Sequence, residues 1–232
     1  MLRLKNKFKH LSSCKLFLYC VRIFSVSTTN IILSGTGGQG IVLASRIIAQ
    51  VAFISGFDVK ESELHGMAQR GGSVIGHVRF GDIVYSPTIP AGMADIMVSF
   101  EELEALRYLY FLKPEGIVIL NRKKVIPAMI QDNEYPNNVE FLIKKQGFNV
   151  KYIDAEKIAK NIGNPKVENS VILGYLSIFL PFKETAWHEV ITKSVPPKTI
   201  ELNLKAFNKG RRLAEENAIL EQNSGNFDKT AT

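Results

Sequence analysis

Thiols are almost missing from this 232-residue chain: its two cysteines are Cys14 and Cys20, and nothing after Cys20 carries a sulfhydryl. The body of the protein therefore has no thiolate with which to ligate an iron–sulfur cluster or a structural zinc. It has no disulfide framework either, as expected of an intracellular, cytoplasmic protein. Acidic residues are missing from the start of the chain, the first being Asp58. The first 22 residues hold Arg3, Lys5, Lys7, Lys9, Lys15 and Arg22, six of the 29 basic residues, which leaves 23 against 22 acidic ones in the rest of the chain. The formal charge of +7 is thus a property of the head, and no nucleic-acid partner is expected of the body. Long hydrophobic runs are missing too. Val171–Leu180 is strongly apolar but closes at Pro181, well short of the ~20 residues a membrane span needs. Leu16–Val21 is cut by Arg22 before it can form the apolar region of a secretory signal, so no membrane partner is expected. The head fits a mitochondrial-type presequence better, and the plainer alternative is a poorly ordered extension or a start methionine placed too far upstream. Residues 1–28 are accordingly set apart from a domain at 29–212, with 213–232 as the end of a C-terminal helix and a polar tail. No internal repeat or low-complexity segment is found.

What is present is an alternation of strand and helix patterns, with 46% apolar residues in a length that one core can support. Asn30–Ser34 reads as a strand running into the glycine cluster Gly35-Thr-Gly-Gly-Gln-Gly40. Ile41–Ser55 sets Leu43, Ile47, Ile48, Val51 and Ile54 at helical spacing, with Gly56 as the stop. Phe57–Glu63 alternates as a second strand, which predicts a βαβ unit with parallel pairing. Ser73–Phe80 is expected to pair across Gly81-Asp82 with Ile83–Ser86 as a hairpin. Further strands are predicted at Asp95–Phe100, Gly116–Leu120 and Phe148–Ile153. Helices are predicted at Glu101–Leu112, Asp154–Asn161, Val167–Leu180, Glu184–Lys193 and Lys198–Gln222.

Gly35-x-Gly37-x-x-Gly40, after a strand and opening a helix, has the form of a dinucleotide-binding turn, in which glycines let a phosphate approach the backbone. It is not a triphosphate loop, since Ile41 and Val42 stand where Lys and Ser or Thr would follow Gly40. Nicotinamide binding would need an acid about 20 residues on, and Asp58, Glu61 and Glu63 are all near enough to qualify. The alternative is a loop that merely packs helix against strand. Gly35, Gly37, Gly38, Gln39 and Gly40 are the candidate cofactor-binding residues.

The segment His65-Gly-Met-Ala-Gln-Arg-Gly-Gly72 gathers three polar side chains among glycines. Arg70 offers a rigid donor fork for a carboxylate or phosphate, while His65 and Gln69 are able to orient the same partner. The alternative pairs Arg70 with Glu61 or Glu63. His65, Gln69, Arg70, Gly71 and Gly72 are the candidate contacts to a partner or coenzyme. His77 is expected to be a structural strand residue and His188 an exposed helix residue.

Together, Gly35–Gly40 and His65–Gly72 resemble the gamma-type subunits of 2-oxoacid:ferredoxin oxidoreductases, the second segment pointing to the indolepyruvate branch. Gly163-Asn164-Pro165, Asn169, Leu173-Gly174, Asn203, Ala206-Phe207 and Gly210 resemble later family positions. The resemblance implies an α/β, Rossmann-like three-layer domain with a mostly parallel sheet, an inserted β-hairpin and a helical C-terminal part. It further implies a small subunit, not catalytic alone and binding no cofactor itself, in a hetero-oligomer with a large alpha subunit. That complex would use thiamine diphosphate, iron–sulfur clusters and coenzyme A to decarboxylate aryl pyruvates oxidatively, passing electrons to ferredoxin. The competing expectations are a gamma subunit for pyruvate or another 2-oxo acid, an NAD(P)-binding oxidoreductase, and a non-enzymatic nucleotide-binding interaction module. The chain purified alone is expected to be colourless. Iron and sulfide analysis with an absorption spectrum checks this, and a stoichiometric cluster would overturn the reading of the cysteines.

Overall fold

The computed structural model describes residues 28–65, 71–126 and 135–227. The extension expected at 1–28 lies outside them except for its last residue, Thr28, which belongs to the first strand. Six strands form one sheet: β1 (Thr28–Thr36), β2 (Asp58–His65), β3 (Ser73–Gly81), β4 (Ala94–Ser99), β5 (Leu112–Asn121) and β6 (Asn149–Ile153), in the order β2-β3-β1-β4-β5-β6. β1, β4, β5 and β6 run parallel, and β3 is antiparallel to both β1 and β2. The helices are α1 (Ile41–Ile54), α2 (Glu102–Tyr108), α3 (Val139–Lys145), α4 (Ala155–Ile162), α5 (Glu168–Ser177), α6 (Glu184–Ser194) and α7 (Ile200–Phe227).

Three layers follow from the two-residue period of the strands. Ile31, Leu33, Ile96, Val98 and Ile119 face one core with α1 and the C-terminal helices. Ile32, Met97, Val118 and Leu120 face the other with α2 and α3. With both faces covered, the central strands read as unbroken apolar runs, and Ile31, Ile32 and Leu33 are all fully buried. Among the described residues no helix is long and apolar enough to cross a membrane.

Three expectations need correction. Phe57–Glu63 does not pair with the first strand, because β3 lies between β1 and β2. The hairpin exists, but it joins β2 to β3 through the second polar loop rather than β3 to Ile83–Ser86. Both edges of β3 are already taken by β1 and β2, so the later segment has no edge to join. It runs back without ladder pairing, held where Val84 N–H donates to Asp58 at 2.8 Å and Arg79 donates to the Ser86 carbonyl at 2.9 Å. Leu43 and Ile54, grouped with the core face of α1, are partly exposed, while Ile47, Ile48 and Val51 are buried as expected. Helix α3 had no counterpart in the sequence reading. Its seven residues give too few turns for a periodic signal.

The helical C-terminal part is organised by α5, which is buried on nearly every side from Ser170 to Ser177. It crosses α7 at backbone distance. A β-carbon at Gly174 would overlap the Phe207 carbonyl, and one at Gly210 would overlap the Val171 carbonyl. Asn203 completes the contact by accepting from Ser170 at 2.7 Å and donating to the Thr199 carbonyl at 2.8 Å. These are the later positions that carried the family resemblance, and here they do packing. Gly174→Ala and Gly210→Ala should each cost about 1–3 kcal/mol or more, since backbone cannot yield as a side chain does. Urea denaturation measures it, and unchanged midpoints would show that the two helices do not meet there.

Candidate functional site

The carboxyl ends of β1, β4, β5 and β6 lie together, and the connection from β2 to β3 arrives at the same end. The register aligns Thr36 with Ser73 and His65 with Val74. The described ends of the second polar segment are thereby brought beside the glycine loop, and Gly37 N–H donates to the Gly72 carbonyl at 2.8 Å. Gln69 and Arg70 lie outside the described residues, so the expected pairing of Arg70 with Glu61 or Glu63 does too. Gly71 takes a positive φ of 72° where the loop returns to the sheet.

The glycine loop is closed by its own groups. Gln39 Oε1 accepts from Thr36 N–H at 2.8 Å, and its amide nitrogen reaches the Phe100 carbonyl at 3.4 Å. Gly35 leaves the room that Gln39 and Phe100 occupy. Gly40 sits at φ 74° as the N-cap of α1, with no side chain capping the helix. Its carbonyl accepts from Asn169 Nδ2 at 3.2 Å, which ties the loop to the start of α5. Gly38, at φ 97°, faces open space.

The acids weighed for a nicotinamide site are not where one needs them. A ribose carboxylate belongs at the carboxyl end of the strand beside β1. The strand beside β1 on that flank is β3, which runs the other way. Asp58 lies at the far end of β2, paired with Lys60 at 2.8 Å, and its pKa is lowered first by that bond. Glu61 is raised instead, by burial first and then by repulsion from Glu63. His77 is buried in β3, its Nδ1 accepting from Ile89 N–H at 3.2 Å, and burial lowers its pKa. It is a neutral strand residue. His188 on α6 meets Asn208 at 2.7 Å.

Sequence reasoning passed over a set of acids and tyrosines at the same end of the sheet. Glu101 caps α2 by accepting from Glu104 N–H at 2.9 Å, and accepts also from Val125 N–H at 3.0 Å and Tyr135 OH at 2.5 Å. Glu102 accepts from Tyr152 OH at 2.6 Å. Burial first, then the bond to Glu102, pushes Tyr152 up to about 12, and Tyr135 is raised further for the same reasons, with Glu101 as its partner. Glu104 is buried and raised by desolvation, and it takes the Ser73 hydroxyl, which also meets Tyr108 OH at 2.7 Å. That network holds the residue next to Gly72. Asn121 bridges the Phe100 carbonyl at 3.2 Å, Glu168 at 2.8 Å and Ala155 N–H at 3.1 Å. The only local signal was the pair Glu101-Glu102 opening a helix, because the tyrosines are distant in sequence. Among the described residues no group of three His, Cys, Asp or Glu could hold a metal ion.

Three comparisons bear on this arrangement. A family model described as pyruvate ferredoxin/flavodoxin oxidoreductase matches residues 30–213. The indolepyruvate oxidoreductase subunit IorB of Pyrococcus horikoshii is 43% identical over 194 residues, 81% of this chain and 96% of that protein. Its counterpart in Thermococcus kodakarensis is 42% identical over 194 residues, with the same shares covered. The crystal structure of a keto/oxoacid ferredoxin oxidoreductase gamma subunit from Geobacter sulfurreducens superimposes with a TM-score of 0.63. It is 25% identical and covers 81% of this chain and 99% of that one.

Gly40→Ala and Gly38→Ala would both force an L side chain into a left-handed backbone, at about 1–2 kcal/mol each. Only at Gly40 would the new carbon also meet the Asn169 amide. Gly40→Ala should therefore cost about 1 kcal/mol more, the value of the bond it displaces. Equal losses on denaturation would show that the Asn169 tie contributes nothing.

Proposed function

The chain belongs to the pyruvate ferredoxin/flavodoxin oxidoreductase family, and from that premise we propose that it is the small subunit of an indolepyruvate:ferredoxin oxidoreductase. The observation that carries this is the alignment with IorB, which takes in 96% of that subunit at 43% identity. As in its relatives, the chain is one subunit of an oxidoreductase complex. The finer proposal is a division of labour. Thiamine diphosphate and iron–sulfur clusters reside on a larger partner, where they supply the chemistry for oxidative decarboxylation of an aryl 2-oxo acid and the path for its electrons. Coenzyme A takes the acyl group and ferredoxin the electrons. The lack of any cysteine after Cys20 supports placing the clusters elsewhere.

This chain's own part is a rigid face at the carboxyl end of the sheet. The segment from His65 to Gly72 is proposed to meet either the partner's active-site region or the anionic end of a bound coenzyme. Arg70 supplies the fixed charge and donor fork, and His65 and Gln69 shape the same loop. The glycine loop backs that segment through the bond from Gly37 to Gly72. With Gly35 and Gly40 both crowded, Gly38 alone of these three glycines faces open space from which a ligand could approach.

Co-expression with a candidate large subunit should yield a co-purifying complex that reduces ferredoxin in a manner dependent on indole-3-pyruvate and coenzyme A. Failure to associate with any large subunit would overturn the assignment. Within the assembled complex, Arg70→Ala and Arg70→Lys should both lower turnover, by about tenfold where two charge-assisted bonds become one or none. A fully assembled Arg70→Ala complex with unchanged turnover and unchanged affinities would leave the residue a structural one.

A further inference from the structure

A second concavity lies at the carboxyl ends of β5 and β6, apart from both glycine-rich loops. It is a cleft of about 560 Å3 walled by α3 and by Arg122, Lys124, Phe141 and Tyr152. The volume suits a ligand of nucleotide size. Its distinguishing feature is a repeated arrangement of three groups. Glu102 accepts from Tyr152 OH at 2.6 Å, and the Arg122 guanidinium lies 4.7 Å from the centroid of that ring. Glu101 accepts from Tyr135 OH at 2.5 Å, and the Lys124 ammonium lies 5.4 Å from the centroid of that ring.

Each tyrosine is fixed by a buried carboxylate and carries a cation on its face, so the two positive groups are placed without being neutralised by direct ion pairs. Among the described residues neither Arg122 nor Lys124 has a carboxylate within ion-pair distance. Of the other charges around the cleft, Glu140 pairs with Lys144 at 2.6 Å, while Glu102, the acceptor for Tyr152, and Asp154 act on Arg122 through space and leave Lys124 the less compensated of the two cations. The remaining wall is Asn138, Val139 and Phe141, whose ring lies 63% exposed at the rim. Two placed cations beside an exposed aromatic ring select a ligand that has both an anionic end and a flat ring.

We propose that the cleft between β5, β6 and α3 binds a nucleoside-diphosphate-like organic phosphate, its phosphates on Arg122 and Lys124 and its ring against Phe141. Nothing in this depends on the small-subunit assignment, because the residues involved belong to this chain alone. The test is calorimetric titration of the full-length chain at low salt with ADP, with inorganic pyrophosphate and with indole-3-acetate. ADP should bind at one site. Arg122→Gln and Lys124→Gln should each weaken it by about tenfold, the loss of one charge-assisted contact. Phe141→Ala should weaken ADP while leaving pyrophosphate as it was. Circular dichroism verifies the fold of each variant, and backbone NMR shifts at Phe141 and Arg122 on adding ADP to the unaltered chain locate the site without any substitution. Absence of ADP binding at millimolar concentration, or an Arg122→Gln/Lys124→Gln double variant with undiminished affinity, overturns the proposal. So does a stronger response to indole-3-acetate than to ADP, which would make the ligand an aryl carboxylate instead.

Discussion

The passage from β1 into α1 is the constraint on which the rest of the domain hangs. The chain must leave the central strand and enter a helix within the four residues Gly37–Gly40. It does so by spending a side chain on its own backbone: Gln39 closes the turn on Thr36 and reaches across to Phe100 at the end of β4. Gly40 then turns left-handed to start the helix, its carbonyl accepting from both Ala44 N–H and the Asn169 amide. One short loop thereby fixes β1, β4, α1 and α5 relative to one another. The close crossing of α5 with α7 extends that frame into the C-terminal helices. A loop under such demands tolerates little substitution whether or not anything binds to it, so its glycines alone are a weak sign of a ligand.

The carboxyl end of the sheet is stiffened further by buried polar groups, each with its partners. Glu101 accepts three hydrogen bonds, and Asn121 uses both ends of its amide to join the ends of β4, α4 and α5. Ser34 donates to Ser99 at 2.8 Å, and Ser99 is satisfied in turn by bonding the Glu101 carbonyl. Inside a low-dielectric layer such bonds are strong, and losing any one partner leaves a costly orphan. The consequence is that the polar groups named here are already partnered within the chain. Groups held in this way do not have to be ordered if a partner binds there.

The sequence made the strands and long helices legible because their signals are local. Ile31-Ile32-Leu33 is apolar on both faces, α1 carries a helical period, and Gly56 stops it in a left-handed conformation. What it hid was non-local. Nothing near Ser73–Gly81 announces that both of its edges will be occupied, so the nearer segment Ile83–Ser86 looked like its partner. The candidate site shows the same limit. The loops Gly35–Gly40 and His65–Gly72 were found by their glycines, yet Gln39, taken as a candidate contact, is consumed within its own turn. Arg122 and Lys124 were missed because their placement depends on Tyr152 and Tyr135, which come from other elements. Asn169 and Gly174 were noticed only through resemblance, and their physical task emerged once α5 was seen against Gly40 and α7.

The insertion of β3 between β1 and β2 accounts for both the departure from a dinucleotide site and the display of the second loop. In a dinucleotide-binding unit the strand beside β1 is parallel to it and ends in an acid that holds a ribose. Here the neighbour is antiparallel, so the end of it nearest the glycine loop is its beginning, Ser73, which faces Glu104 and Tyr108. No carboxylate from β2 can stand beside the glycine loop with a whole strand in between. The same antiparallel strand requires the chain to reverse at that end of the sheet, and the reversal is the segment from His65 to Gly72. Its return is stapled to the glycine loop through Gly37 and Gly72. A single change of strand direction thus removes the geometry for holding a nicotinamide cofactor at the end of β2 and brings both ends of the second polar segment to the glycine turn. From the fold alone, then, the glycine turn is not evidence for a bound nicotinamide cofactor.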